Sequence, residues 1–164
     1  MRSAMARLKD LDELSQTALL KMECPAFETR PWVTGPPLRK RRVAIVTTAG
    51  LHRRTDRPFL FATSPDQPKP VDYRVIPADT KANELVMSHT STNFDRTGFQ
   101  QDSNLVFPID RLRELASDGV IGSVADFHYS FMGAADPRLM EPSAKRLATL
   151  LAQDRVDAVA LVPV

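Results

Sequence analysis

Cysteine occurs once in this chain, at Cys24, and that scarcity excludes an internal disulfide and a zinc site built from several cysteines. Glycine is also sparse. Its six copies form neither a Walker-type phosphate loop nor a dinucleotide fingerprint, so the common nucleotide-binding patterns are absent. No apolar run approaches the length that crosses a bilayer, and the first residues lack the apolar core of a secretory signal. Neither sign of charge dominates: 22 basic against 20 acidic residues leave +2, too little to imply nucleic acid. These absences predict no membrane and no nucleic-acid partner. A lone thiol fits a reducing cytoplasm.

What is present is enough apolar material, 43% of 164 residues, for one sizeable core. Residues 4–22 place leucines at helical spacing between charges, so an amphipathic helix that needs a partner surface is expected there. Pro25, Pro31, Pro36 and Pro37 make the next stretch extended. Residues 1–38 thus read as a helical arm and Pro-rich connection, and residues 39–164 as the α/β domain. The arm either packs on the domain's own sheet or serves to dimerise. The basic run Arg39–Arg42 is a solvated flank before the strand Val43–Thr48.

Leu51–Pro70 reads as a long loop, Tyr73–Ile76 and Leu85–His89 as short strands, and 89–104 as a polar stretch without aliphatic residues. Pro108, Asp110 and Gly119 punctuate a helix whose Leu112 and Leu115 should face the core. Val120–Met132 is extended. Leu139–Gln153 is a helix with Met140, Ala144, Leu147, Ala148 and Leu151 as its apolar stripe. The closing RVDAVALVPV (155–164) looks like a buried parallel strand. Strands alternating with helices predict an α/β, three-layer sandwich with a mainly parallel sheet. Ligands of such sheets bind beyond the strands' carboxyl ends, where Thr47, Thr48 and Gly50 stand; a plain structural turn is equally compatible with those residue types.

Among the three histidines, His89 and His128 each lie near the end of a strand, with Asp102 and Asp95 available as carboxylate partners. Each is either a hydrogen-bonded structural histidine or a proton carrier. A metal held by His89, His128 and Asp102 is the least favoured reading, and no metal is assigned. Cys24 has no activating neighbour in sequence.

The segments VAIVTTAGLH (43–52), YRVIP (73–77), SHTSTNFDRTGFQQDSNLVFPIDRLRELASDGVIG (88–122), HYSFMGA (128–134) and RVDAVALVPV (155–164) together resemble the selenoprotein B family of glycine, sarcosine, betaine and D-proline reductases. The resemblance runs in order from about Arg42 to Val164, and DSNLVFPIDRLRELASDGVIG followed by HYSFMG is its most specific part.

The resemblance implies a thiol- or selenol-dependent reductive cleavage of a small amino-acid-like substrate, completed by a partner thiol system. The reactive selenocysteine or cysteine of the family follows a strand like Val156–Val164, so the resemblance places it after Val164, where the given chain has no residue. Two explanations stand: a selenocysteine codon taken as a stop, with the C-terminal part missing, or a short subunit that needs a companion chain or a second copy. No other cofactor is implied. Within the family region Thr47, Thr48 and Gly50 form the cleft in this reading. Asp102, Asn104, Arg111 and Ser130 supply further polar contacts to substrate, Arg111 through a guanidinium fork that matches a carboxylate. His89 and His128 are the candidate proton donors to the leaving group. A non-catalytic binding or assembly subunit using the same cleft is the alternative.

Overall fold

The computed structural model describes residues 7–21, 26, 33–59, 70–89, 96–133 and 135–164. Cys24 and Asp95 lie outside them. The chain divides into two compact units, Met1–Trp32 and Val33–Val164. In the first, α1 (Glu13–Leu20) begins at Asp12, whose carboxylate accepts the Ser15 N–H at 3.0 Å, the usual way a helix start satisfies an orphan donor. The leucines Leu14, Leu19 and Leu20 of this helix are exposed.

The second unit is built on β1 (Arg42–Thr47). After it come β2 (Leu51–Arg53), β3 (Tyr73–Pro77), β4 (Leu85–Met87), α2 (Thr97–Gln101), α3 (Ile109–Ser117), β5 (Ser123–Val124), β6 (Phe127–Phe131), α4 (Pro137–Gln153) and β7 (Ala158–Val162). β1 pairs in parallel with β5 and β6 along one edge and with β7 along the other, and β3 adds antiparallel to β6. β2 and β4 form a separate antiparallel ribbon. The fold is α/β with a mainly parallel sheet, as the alternation of elements predicted.

Strand periodicity divides β1 between two faces. Val43 and Ile45 join Leu51, Ile76, Leu85, Ile109 and Leu112 in a core beneath α3 and the β2–β4 ribbon. Val46 turns the other way and packs with Tyr129, Phe131 and Leu147 beneath α4. Burial of a side chain such as Ile45, Leu51 or Ile76, each without solvent exposure, contributes about 1.5–3 kcal/mol.

β5 and β6 are one lane interrupted by a bulge. Val43 pairs with Val124 but Val46 pairs with Tyr129, so the outer lane carries two more residues than β1 over the same span. The interruption would orphan a ladder donor of β1. Instead the Ile45 N–H donates to Nδ1 of His128 at 2.9 Å. At the opposite end Arg42 donates to the Asp154 carboxylate at 2.6 Å and contacts Asp126 at 2.9 Å, fastening α4's end to the sheet's amino edge.

Five sequence expectations are corrected by the structure. Leu51–Arg53 is a strand rather than loop, because His52 and Leu51 find partners across the ribbon in Val86 and Met87. Thr97–Gln101 is a helical turn inside the polar stretch. The apolar stripe of α4 is rotated: Ala144 and Ala148 are exposed, whereas Ser143 is buried and its hydroxyl accepts from Arg146 at 2.8 Å. β7 is an edge strand, and Leu161 is 74% exposed. Leu115 is also at the surface while Leu112 is buried.

Candidate functional site

The carboxyl ends of β1, β6 and β7 converge, and small polar residues make that convergence. The Thr47 hydroxyl accepts the Ala49 N–H at 3.2 Å, closing the first turn after β1. Thr48 donates its N–H to the Val162 carbonyl at 3.1 Å, and its hydroxyl accepts the Val164 N–H at 2.8 Å. The same hydroxyl lies 3.3 Å from the Val164 carbonyl, to which it donates. Val164 is therefore clasped to the end of β1 on both sides of its backbone.

Gly50 has φ of 65°, a conformation that costs a side-chain-bearing residue about 1–2 kcal/mol. Its N–H donates to the Phe131 carbonyl at 2.8 Å and its carbonyl accepts the Ser88 N–H at 2.9 Å. A Cβ on it would lie 3.0 Å from the backbone nitrogen of His89. Gly50 thus brings His89 to the end of β6. Ser130 completes the junction, its hydroxyl accepting the Leu51 N–H at 2.8 Å. After β6, a Cβ on Gly133 would lie 3.0 Å from the Thr48 carbonyl, so the two connections pack closely. The connection from β1 leaves over the α3 face, and that from β6 leaves over the α4 face. Adjacent strands whose connections part in this way open a crevice at their carboxyl ends, the usual ligand position of an open α/β sheet.

The two histidines do different things. His89 is 3% exposed, and burial together with the positive Arg96 lowers its pKa, so it is neutral at neutral pH. Its carbonyl accepts from Arg96 at 2.6 Å. His128 has no exposed surface and lies edge-on to Phe107, ring centroids 5.5 Å apart. Burial pushes its pKa down to about 4. Because Nδ1 accepts from Ile45, the proton of the neutral ring sits on Nε2, which is buried without a hydrogen-bond partner among the described residues. No carboxylate among the described residues bonds it, and Asp102 is engaged by Asn104.

Asp102, Asn104 and Arg111 belong to a second place. Asn104 caps α3: its side-chain oxygen accepts the Asp110 N–H at 3.0 Å and its amide donates to both Asp102 and Asp110. The backbone and side-chain donors of Asn104 hold the Asp102 carboxyl below the usual range. Arg111 is solvated and pairs with Glu114 at 2.7 Å. Arg113, also exposed, donates to Asp110 at 2.7 Å and to the Ala78 carbonyl. It borders a cavity of about 330 Å³ with Asp79, Lys81, Leu85, Phe107 and Asp110. Thr47, Thr48, Gly50, His89 and Ser130 are brought together; Asp102 and Asn104 are joined to each other but not to them. No group of three or more His, Cys, Asp or Glu among the described residues stands where it could hold a metal.

Sequence reading passed over His52 and Ser88. His52 Nδ1 lies 2.8 Å from the Arg53 carbonyl, which only accepts, so that nitrogen carries the proton. Nε2 is then bare and accepts the Ser88 hydroxyl at 2.8 Å. The pair stands at the end of the ribbon that carries His89. Recognising 51–53 as a strand paired with 85–87 would have revealed it.

These features define an α/β domain whose small polar residues gather at the carboxyl edge of its parallel strands, the edge where ligands of open α/β sheets usually bind. Residues 14–164 match the family described as glycine/sarcosine/betaine reductase selenoprotein B, and the chain belongs to that family. It is similar to the D-proline reductase subunit gamma of Acetoanaerobium sticklandii, 33% identical over 139 residues, covering 79% of this chain and 54% of that protein. It is also similar to the glycine reductase complex component B subunit gamma of Symbiobacterium thermophilum, 29% identical over 146 residues, 84% of this chain and 32% of that protein. The chain thus spans about half the length of the first relative and a third of the second. No solved structure matches it. No helix among the described residues is long and apolar enough to cross a membrane.

Proposed function

We propose that this chain supplies the substrate crevice of a thiol- or selenol-dependent reductase that cleaves a small amino-acid-like substrate. The reactive sulfur or selenium atom is carried just beyond Val164. The observation that carries this reading is the clasp of Val164 by Thr48, which holds the end of β7 beside the close-packed turns of Gly50 and Gly133. Both relatives are named as subunits of amino-acid reductases, which supports a companion subunit; a thiol partner in a reducing cytoplasm is part of the same proposal.

The chemistry supplied by the chalcogen is displacement of the substrate amine. Over a turnover the C–N bond breaks, a C–H bond forms, ammonium leaves, and two thiols become a disulfide. The chain's own residues position and protonate. Of the two histidines His89 is the proton carrier in this reading, because His128 is committed to the sheet; resting neutral, His89 takes up a proton before passing it to the leaving nitrogen. Thr48 and Ser130 fix the backbone that shapes the crevice. Thr47, buried in the same turn, has its hydroxyl occupied by Ala49.

The test is to read the gene past codon 164 and express what it encodes. A continuation bearing selenocysteine or cysteine, with alkylation-sensitive release of ammonium from an amino-acid substrate, is the expected result. His89→Ala should abolish that release. A terminator with no related frame beyond it, or a continuation without a reactive chalcogen, would reject the reading in favour of an assembly subunit.

A further inference from the structure

Among the described residues β7 pairs only with β1, and its other edge is open. Its residues alternate. Ala158, Ala160 and Val162 pack into the core beneath α3, whereas Val159 and Leu161 face the other way and are 38% and 74% exposed. Leu161 pairs in register with Val46, which is packed beneath α4. Among the described residues an apolar strip therefore lies partly exposed on the α4 face of the sheet.

Edge strands usually carry deterrents against further pairing, such as charge, proline or a bulge. β3, at the opposite edge, has Arg74 within it and Pro77 at its end. Ala158–Val162 has neither a charged residue nor a proline. That composition belongs to an interior strand of a wider sheet.

The connections already present show which kind of element fits. From β1 to β6 the chain passes over the α3 face; from β6 to β7, in the opposite direction across β1, it passes over the α4 face. Opposite directions over opposite faces give one hand, and parallel crossovers are right-handed in about 98% of cases. A further crossover outward from β7 continues in the direction of β6 to β7, so its helix must fall on the α4 face. That is the face on which Val159 and Leu161 are bare.

We infer that the polypeptide following Val164 forms a helix that lies on Val159 and Leu161 beside α4, and then a strand that pairs in parallel with the open edge of β7. This rests on the reading that the chain continues past Val164. Such a strand–helix–strand unit needs only about 30 residues. The D-proline reductase subunit gamma has nearly half its length outside the matched region.

The experiment compares the 164-residue chain with the longer product of the native gene, by hydrogen exchange of the 158–164 amides and by urea unfolding of Leu161→Arg. Slowing of exchange by at least about tenfold in the longer protein is expected. Leu161→Arg should lower the unfolding midpoint of the longer protein and leave the short chain unchanged. A longer protein that releases ammonium yet exchanges 158–164 as fast as the short chain, and tolerates Leu161→Arg, would overturn this inference alone. Absence of any continuation would overturn both it and the functional reading. Protection of the same amides in a dimer of the 164-residue chain would assign the face to a second copy and overturn the inference.

Discussion

Replacement of His128 by asparagine should flatten the dependence of stability on pH. In the folded protein burial holds the His128 pKa at about 4, against 6.5 for the unperturbed group. The unfolded chain therefore binds the proton more readily, and stability falls as pH drops through the interval between those values. At about 1.36 kcal/mol per pKa unit, the whole interval corresponds to roughly 3 kcal/mol. Between about pH 7 and about pH 5 the linked loss is roughly 2 kcal/mol, a large share of a marginal stability. Asparagine preserves an acceptor for the Ile45 N–H near the place of Nδ1 but carries no titratable proton. Urea unfolding of both proteins at several pH values is the assay. His128→Asn should be less stable at neutral pH, because it leaves space beside Phe107, yet lose less stability on acidification. His89, also held low by burial and Arg96, contributes a residual slope to both proteins. Equal slopes in the two proteins would show that His128 is not the buried neutral acceptor described above.

Gly50→Ala should cost about 1–3 kcal/mol in urea unfolding, since the left-handed backbone is retained at a strain and the new Cβ meets His89; an unchanged midpoint would refute the close approach. Thr48→Val keeps the size of the side chain but removes the clasp on Val164, and should cost about 1 kcal/mol while speeding exchange of the Val164 amide.

The fold was legible where periodicity and punctuation were strong. Val43–Thr47, the helix beginning near Pro108 and the helix ending at Gln153 follow from apolar spacing and capping residues. β2 was hidden because three residues give too little alternation, between Gly50, which breaks the preceding strand, and the proline-punctuated stretch that follows. The error at β7 has a different cause. A continuous apolar run is what a strand buried on both faces produces, and sequence alone does not report which neighbours are present to bury it. That Thr47, Thr48 and Gly50 stand in the turn after β1 was readable from the apolar strand and the glycine that breaks it. That Asp102 and Asn104 gather at the start of α3, away from the β1 turn, was not readable, because residues that cap a helix and residues that touch a ligand are the same types.

The bulge between β5 and β6 also constrains how this lane can change length. Because the surplus over β1 is an even number of residues, two, the facing of every side chain after it is kept. Losing one residue there would invert the parity, sending Tyr129 and Phe131 toward α3 and placing the imidazole of His128 and the hydroxyl of Ser130 under the leucines of α4. Insertions and deletions at Ala125–Asp126 should therefore be tolerated in pairs and rejected singly.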